Sequence, residues 1–371
     1  MEFLMGGQVL RINDLSPAMN KAFIALHGAY LGDQPYDLGD FEREALAYFD
    51  QTAGNPSAHD RFFNAFTIIW QAHLDRENLA AAESLWADIA LRQALLWEKQ
   101  NPGKFIHKGT PFYFWGMTAI IRGELDKGYA LMHQALDEDA RTSGLRFPQT
   151  PAFAFATLNY AEVAQTFRAW VLNLARFLDQ QLTAYRTNTG GRLTLQDFNQ
   201  HFLLNAPSVD TIFLFSYCVG RLFFLARIPQ HALMSEFAGQ LETNLLFDIA
   251  LVIDAAIRGK NPSEWKFRDH IALLSNRAKL ALGRKQLGWV NRAMLKDFDA
   301  TLSSLIMGSF RFRDGTAPGN LERDLAITYG IRNRGAHSVS SAPTLWQRFD
   351  DIQRAVFNAL FLTVEVLYLN P

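Results

Sequence analysis

The chain of 371 residues is 49% hydrophobic and 20% charged, with a formal net charge of −1 at pH 7. This composition is typical of a soluble globular protein, and the length accommodates two domains. Cys218 is the single cysteine, which excludes an intrachain disulfide and a structural zinc site built from several thiolates. The opening residues MEFLMGGQVL carry no basic segment before their apolar positions. We therefore expect a cytoplasmic protein without a signal peptide or a membrane association.

Helical periodicity dominates the first half of the chain, and alternating strand patterns are nearly absent. Short polar or Gly/Pro breaks separate the apolar runs, and connections this short predict paired antiparallel helices. The predicted helices cover residues 62–74, 79–98, 111–122, 125–139 and 152–178.

One predicted hairpin has small residues where two helices need close contact. These residues are Gly116, Gly128 and Ala135, and Gly123 stands at the turn. The spacing resembles a tetratricopeptide hairpin, with a weaker echo at residues 70–89. The two echoes are too far apart for a regular array, and a generic helical bundle explains the same pattern. The resemblance implies a partner-binding domain of helical hairpins.

The segment Thr187-Asn188-Thr189-Gly190-Gly191 is the strongest turn or linker signal in the middle of the chain. A second loop follows at residues 204–208. We therefore predict an α-helical, partner-binding domain over residues 1–200 and a second domain over residues 207–371.

The second domain also has a helical pattern throughout. Its most apolar run, residues 211–226, contains Arg221 and is short for a membrane span, so it predicts a buried helix. The last helix carries an apolar stripe at steps of four residues from Ile352 to Val364. Four or five such helices favour an all-α bundle. The predicted helices cover residues 232–258, 270–282, 290–307, 321–331 and 345–369.

The sequence Arg332-Asn333-Arg334-Gly335-Ala336-His337 follows the helix predicted over residues 321–331. A bundle with Arg-Asn-x-x-x-His late in its third main helix, followed by one long amphipathic helix, resembles the HEPN superfamily. The resemblance covers residues 207–371 and does not reach the first domain. It implies a dimeric, metal-independent endoribonuclease without a cofactor, in which Arg332, Asn333 and His337 are catalytic. Such proteins often belong to toxin–antitoxin or antiphage systems.

The same residue types suit RNA cleavage on chemical grounds. An imidazole such as that of His337 titrates near neutrality, so it can deprotonate a ribose 2′-hydroxyl or protonate the leaving oxygen. The guanidinium of Arg332 can neutralise the charge that develops on the phosphorane, and Asn333 can orient either group. On a regular helix Arg332 lies roughly 140° from His337. Either Gly335 loosens the helix, or a second chain completes the site across a two-fold axis.

A strong charge asymmetry surrounds the motif. Residues 258–348 contain 16 Lys and Arg against 7 Asp and Glu, a local charge of +9 that leaves −10 for the rest of the chain. Such a segment can hold phosphates and attract RNA, and a solvated helix face explains it equally well. The candidates for binding phosphate are Arg334, Arg284, Lys285 and Arg292.

Two alternatives to a nuclease stay open. One is a non-catalytic HEPN-like adaptor, in which the motif stabilises the bundle or its dimer. The other is a regulator that binds nucleotide or RNA on the same basic surface.

Acidic and histidine residues near the basic segment have weaker signals. Glu242 and Asp248 are candidates to face the motif, because HEPN proteins often carry an acidic residue on that helix. Arg268, Asp269 and His270 are interpreted as a local surface salt bridge.

The remaining histidines do not point to a site of their own. His107-Lys108-Gly109-Thr110 lacks the glycine spacing of a phosphate-binding loop and is interpreted as an ordinary turn. The nine histidines of the chain show no paired ligand spacing, so we expect no metal site.

Overall fold

The computed structural model describes residues 2–5, 8–11, 15–32, 37–226, 236–262, 266–335 and 343–369. Two short antiparallel strands, Glu2–Met5 and Gln8–Arg11, open the chain, and the patterns of the sequence did not indicate them. Every other described element is helical, so the all-α prediction is confirmed for the rest of the described chain. The chain divides into two compact units, Met1–Leu172 and Asn173–Pro371.

The N-terminal unit consists of short helices joined by tight turns. Asn55 shows how such a helix begins, because its side chain accepts a hydrogen bond of 3.2 Å from the Ala58 amide while Pro56 occupies the first turn. The stretch predicted as one helix over residues 62–74 belongs to two helices.

The α-helices of this unit are α1 (Pro17–Gly32), α2 (Leu38–Thr52), α3 (Pro56–Asn64), α4 (Thr67–Asp75), α5 (Leu79–Ser84), α6 (Leu91–Gln100), α7 (Gly109–Ile121), α8 (Leu125–Ser143) and α9 (Pro151–Ala156).

Helices α7 and α8 form the predicted hairpin with close helix contact. A Cβ at Gly116 would lie 3.0 Å from the Gly128 carbonyl oxygen, and a Cβ at Gly128 would lie 3.0 Å from that of Gly116. Gly123 turns the chain with φ of +85°, a conformation that glycine adopts without strain. The hairpin is therefore confirmed, while its membership of the tetratricopeptide class stays a prediction.

Aromatic side chains fill the interior of this unit. The Phe23 ring lies 5.0 Å from that of Phe41 and 4.9 Å from that of Phe66, both edge to face. Trp86 stacks on Phe114 at 5.2 Å. Aromatic pairs in these arrangements contribute beyond their buried area, which explains the high aromatic content as core packing.

The C-terminal unit contains a four-helix bundle. Its second helix packs against the other three, and its third packs against its fourth. Helix α10 (Gln165–Thr189) leads into this unit. The bundle helices are, in order, α12 (Val209–Leu225), α13 (Glu236–Lys260), α17 (Asn320–Gly335) and α19 (Phe349–Val364). The remaining helices are α11 (Leu195–His201), α14 (Phe267–Arg277), α15 (Arg284–Lys296), α16 (Phe298–Ile306) and α18 (Pro343–Gln347).

The division between the units falls inside α10, earlier than the predicted boundary between residues 200 and 207. The Phe177 ring of α10 lies 6.4 Å from that of Phe357 in the bundle. Glu365 accepts hydrogen bonds from the Arg192 and Leu193 amides at 2.9 and 3.2 Å. The turn at residues 187–191 is thus bounded by segments attached to the bundle, because the second part of α10 contributes to its core.

One helical stretch of the described chain, Phe349–Leu369, is long and apolar enough to cross a membrane, and 72% of its most apolar window is buried. The core helix of a soluble protein has the same character. The helix predicted to be buried at residues 211–226 is α12, in which Phe215 and Cys218 are fully buried. Both observations are consistent with a soluble protein, and a cytoplasmic location stays a prediction.

Candidate functional site

Three residues of the Arg-Asn-x-x-x-His motif lie in the last turn of α17. Arg332, Asn333 and Arg334 precede Gly335, where the described helix ends. Ala336 and His337 lie outside the described residues. The predicted angle between Arg332 and His337 therefore stays a prediction, whereas the surroundings of Arg332 are described.

Arg332 lies beside a carboxylate of the second bundle helix. Its Nη2 is 3.9 Å from Oδ2 of Asp254, and its guanidinium carbon is 5.5 Å from the centroid of the Phe267 ring. The side chain is 27% exposed. Its Nε is buried and has no hydrogen-bond partner among the described residues. The guanidinium is thus held by its ion pair with Asp254 and by its contact with the face of the Phe267 ring, while its Nε–H donates to none of the described residues.

Asp254 joins three side chains at this place. Its carboxylate hydrogen-bonds Nδ1 of His270 and lies 3.4 Å from Nη2 of Arg258, in addition to the contact with Arg332. His270 is fully buried and Asp254 is 8% exposed. An ionised carboxylate only accepts hydrogen bonds, so Nδ1 of His270 is the donor. This arrangement sets the tautomer of His270 and anchors the guanidinium of Arg332.

The acidic residue that contacts Arg332 in the described part of the chain is Asp254. Asp248 instead interacts with the charge of Arg221. Burial raises the pKa of the Asp248 carboxyl, although the Arg221 charge lowers it. The side-chain surroundings of Glu242 lie outside the described part of the chain. The interpretation of His270 as part of a surface salt bridge is wrong, because the imidazole is buried against Asp254.

Asn333 and Arg334 contact the helices that pack beside α17. Nδ2 of Asn333 donates to Oδ1 of Asn291 on α15 at 3.2 Å. The guanidinium carbon of Arg334 lies 4.1 Å from the centroid of the Phe298 ring. Burial lowers the pKa of Arg334, partly opposed by Asp299. Arg334, selected as a phosphate-binding residue, therefore rests against an aromatic face.

The other three selected cations come together in one groove of 510 Å³. Arg292 lies over the ring of Trp289, with its guanidinium carbon 5.5 Å from the ring centroid. Nε of Arg284 is 2.8 Å from Oδ1 of Asp269, so part of its charge is neutralised. The charged and aromatic residues that line this basic groove are Arg284, Lys285, Trp289, Arg292, Phe312, Arg313 and a single carboxylate, Asp314.

The basic groove and the motif lie on neighbouring helices. Helix α15 carries Lys285 and Arg292 in the groove, and Asn291 of the same helix contacts Asn333. A cation-lined groove with an aromatic face has the two features that single-stranded nucleic acid requires, which are phosphate neutralisation and base stacking.

Within the ranges that the structure describes, no group of three His, Cys, Asp or Glu residues has the arrangement to hold a metal ion. Cys218 is buried in α12, and burial raises the pKa of its thiol well above the usual value. Such a thiol is a poor nucleophile.

No family model, no curated protein and no solved structure matches this chain.

Proposed function

We propose that the C-terminal unit is a metal-independent endoribonuclease of the HEPN type that acts as a homodimer. The observation that carries the proposal is the anchoring of Arg332 by Asp254 at the end of the third bundle helix. An arginine restrained in this way loses less side-chain freedom when it meets a phosphate. Asn333 stands next to it, and His337 follows two residues after the end of the described helix.

In this proposal His337 acts as general acid or base, and Arg332 stabilises the charge of the phosphorane. The 2′-hydroxyl attacks its own phosphorus, so the P–O5′ bond breaks and a 2′,3′-cyclic phosphate forms, with protons transferred through imidazole. Asn333 positions His337 or a phosphate oxygen. A homodimer supplies a second histidine, so that one imidazole removes a proton while the other donates one.

The basic groove supports RNA as the substrate. Arg284, Lys285 and Arg292 lie within it. Each cation that contacts a phosphate of single-stranded RNA makes the slope of log affinity against log salt more negative by about 0.7. Lys285→Ala is expected to make that slope less negative by about the same amount. The matched control is Lys104→Ala, which removes an exposed lysine of the N-terminal unit.

The decisive experiment incubates labelled single-stranded RNA with the full chain in EDTA. We expect cleavage by the wild type and a loss of at least about 100-fold in His337→Ala, the usual contribution of general acid–base catalysis. His201→Ala, which alters a partly exposed histidine of the same unit, serves as the control. Equal residual cleavage by wild type and His337→Ala would refute the nuclease.

A mixing experiment tests the shared site of the dimer. Chains carrying Arg332→Ala and chains carrying His337→Ala are inactive alone under the proposal. The mixed dimer carries a single intact His337, so the two-histidine mechanism predicts that it stays inactive; recovery of activity would show instead that one imidazole suffices and that Arg332 of one chain acts with His337 of the other. A site contained within one chain, or a need for both histidines, gives no recovery. A monomer in solution would rule out the composite site.

We extend the proposal to the cell, where the protein would act as a toxin or an antiphage effector. A toxin or antiphage effector that cleaves RNA arrests growth when expressed, and His337→Ala should abolish that arrest. The N-terminal unit would bind a partner protein or antitoxin, or gate the nuclease.

One observation favours a second candidate, a non-catalytic adaptor or RNA-binding regulator. The guanidinium of Arg332 already has two contacts inside its own unit, Asp254 and Phe267. Under this alternative Arg332→Ala lowers stability, and RNA binds in the basic groove without being cut. Binding of RNA that persists without cleavage in wild type would select it.

A further inference from the structure

The N-terminal unit contains a cleft that the proposed nuclease does not use. Its volume is 450 Å³, within the range of small-molecule sites in proteins. It opens beside the first turn of α7, where His107-Lys108-Gly109-Thr110 lie. We call it the acidic cleft, and its lining includes Asp60, His107, Thr110, Tyr113, Asp139 and Glu162.

Two carboxylates converge on one buried imidazole in the cleft. Nε2 of His107 is 3.4 Å from Oδ1 of Asp60 and 3.4 Å from Oδ1 of Asp139. Nδ1 of His107 is 3.1 Å from Oγ1 of Thr142, and Thr110 donates to Asp60 at 2.9 Å. The side chain of His107 is 5% exposed, whereas that of Asp60 is 38% exposed and faces the cleft.

Gly109 makes this convergence possible. A Cβ at this position would lie 2.7 Å from Cε1 of His107 and would also overlap the carboxylate of Asp139. Real Cβ atoms do not approach other atoms so closely, so any larger residue displaces one of the two side chains. The turn at residues 107–110 thus brings the imidazole and a carboxylate together. The charge of this site is opposite to that of a phosphate-binding loop.

The charges of the cleft are not balanced from within it. Lys108 and Arg141 lie nearby, and the former pairs with Glu98 and the latter with Glu138 at 2.8 Å. The charge of Arg61 acts on Asp60 from outside the lining of the cleft. All residues that line the cleft lie within residues 37–226, which the structure describes without a gap, and none of them is a lysine or an arginine. Its carboxylates belong to Asp60, Asp139 and Glu162.

Titration behaviour is consistent with this imbalance. Burial, together with the neighbouring carboxylates of Asp60 and Glu138, raises the pKa of Asp139 to about 7, against a hydrogen bond from Thr150 that lowers it. Burial also lowers the pKa of His107, against the opposing field of Asp60. The carboxylate of Asp139 therefore lacks a full counter-charge in the free protein, and an entering cation would supply it.

We propose that the acidic cleft binds a ligand through an alkylammonium or guanidinium group that pairs with the carboxylates of Asp60 and Asp139 beside His107. Carboxylates make short, charge-assisted hydrogen bonds to such groups. The buried faces of Tyr113 and Phe114 line the same cleft and can contact the aliphatic stem of the ligand. Two sources offer this chemistry, a small diffusible amine and an arginine or lysine side chain of a peptide.

The test titrates the full chain by calorimetry near neutral pH in EDTA. Agmatine represents the diffusible amine, and the tripeptide Gly-Arg-Gly represents the peptide side chain. We expect saturable binding of one of them, weakened at least about tenfold by Asp139→Asn and by Asp60→Asn. Asp137→Asn is the matched control, since it changes an exposed carboxylate of the same helix by the same charge. Its affinity should equal that of the wild type.

Several outcomes would overturn the proposal. They are the absence of saturable binding with both probes, and equal affinities in the wild type and Asp139→Asn. A separate titration with Mn²⁺ in buffer without EDTA covers the competing metal site, and saturable Mn²⁺ binding that Asp139→Asn abolishes would overturn the amine assignment. Thermal unfolding of each variant is measured alongside. If Asp139→Asn fails to fold, Asp60→Asn and Gly109→Ala carry the same expectation of weaker binding.

Discussion

Asp254→Ala tests whether the carboxylate beside the motif stabilises the bundle as well as anchoring Arg332. Its hydrogen-bond partner His270 is fully buried, and losing the acceptor of such a bond costs about 1.5–3 kcal/mol. Arg258 and Arg332 are 52% and 27% exposed and lie 3.4 and 3.9 Å from the carboxylate, so each pair adds at most about 0.5 kcal/mol. We therefore expect a loss of about 2–4 kcal/mol in the free energy of unfolding.

Urea unfolding of the full chain, followed by circular dichroism, measures this loss. With a slope of about 2 kcal/mol per molar urea, the midpoint of the C-terminal unit falls by about 1–2 M. Asp254→Asn is the informative comparison, because its amide oxygen can still accept from His270 and about half of the loss should disappear. A loss below about 0.5 kcal/mol in Asp254→Ala would refute the reasoning, since His270 would then tolerate an unpaired donor.

Three further predictions address the hairpin, the acidic cleft and the basic groove. Gly128→Ala should lower the unfolding free energy by about 1–3 kcal/mol, because the added Cβ meets the Gly116 carbonyl. Gly28→Ala is the control, since Gly28 lies in open space on α1 and the substitution should raise the unfolding free energy by up to about 1 kcal/mol. A gain in thermal stability for Gly128→Ala would contradict the close contact. The pKa of Asp139, raised from 3.8 to about 7, means that the folded chain holds this proton more tightly than the unfolded chain. The stability contributed by Asp139 is therefore present below pH 4 and lost as the pH rises through 7, so wild type should lose stability relative to Asp139→Asn across that window in thermal melts; a constant difference would contradict the shift. Trp289→Ala should weaken binding of single-stranded RNA by about tenfold or more without lowering the melting temperature. Unchanged binding in a gel-shift titration would show that bases do not stack on Trp289.

The bundle and the hairpin were predictable because their signals are local and periodic. The stripe from Ile352 to Val364 lies on one face of a single helix, and these two residues are buried in α19. Likewise the small residues of α7 and α8 mark a contact between helices joined by a tight turn. Such patterns depend on the helical repeat, so neighbouring residues carry the information.

The domain boundary shows where this reasoning ends. A Gly-rich turn at residues 187–191 predicts a break in secondary structure correctly, since α10 ends at Thr189. It does not predict to which unit the preceding helix belongs. That depends on Phe177 meeting Phe357, a contact between residues far apart in the chain.

Sequence alone determined the all-α class, the bundle, the hairpin and the concentration of Arg284, Lys285 and Arg292, because each follows from composition or from spacing along one helix. Tertiary structure alone decided that Asp254, rather than Asp248, meets Arg332, and that His107 lies between Asp60 and Asp139. Both clusters join residues from different helices whose rotation is set by how their apolar faces pack. Which carboxylates meet Arg332 and His107 therefore depends on the packed core as a whole. No stretch of neighbouring residues in the sequence carries that information.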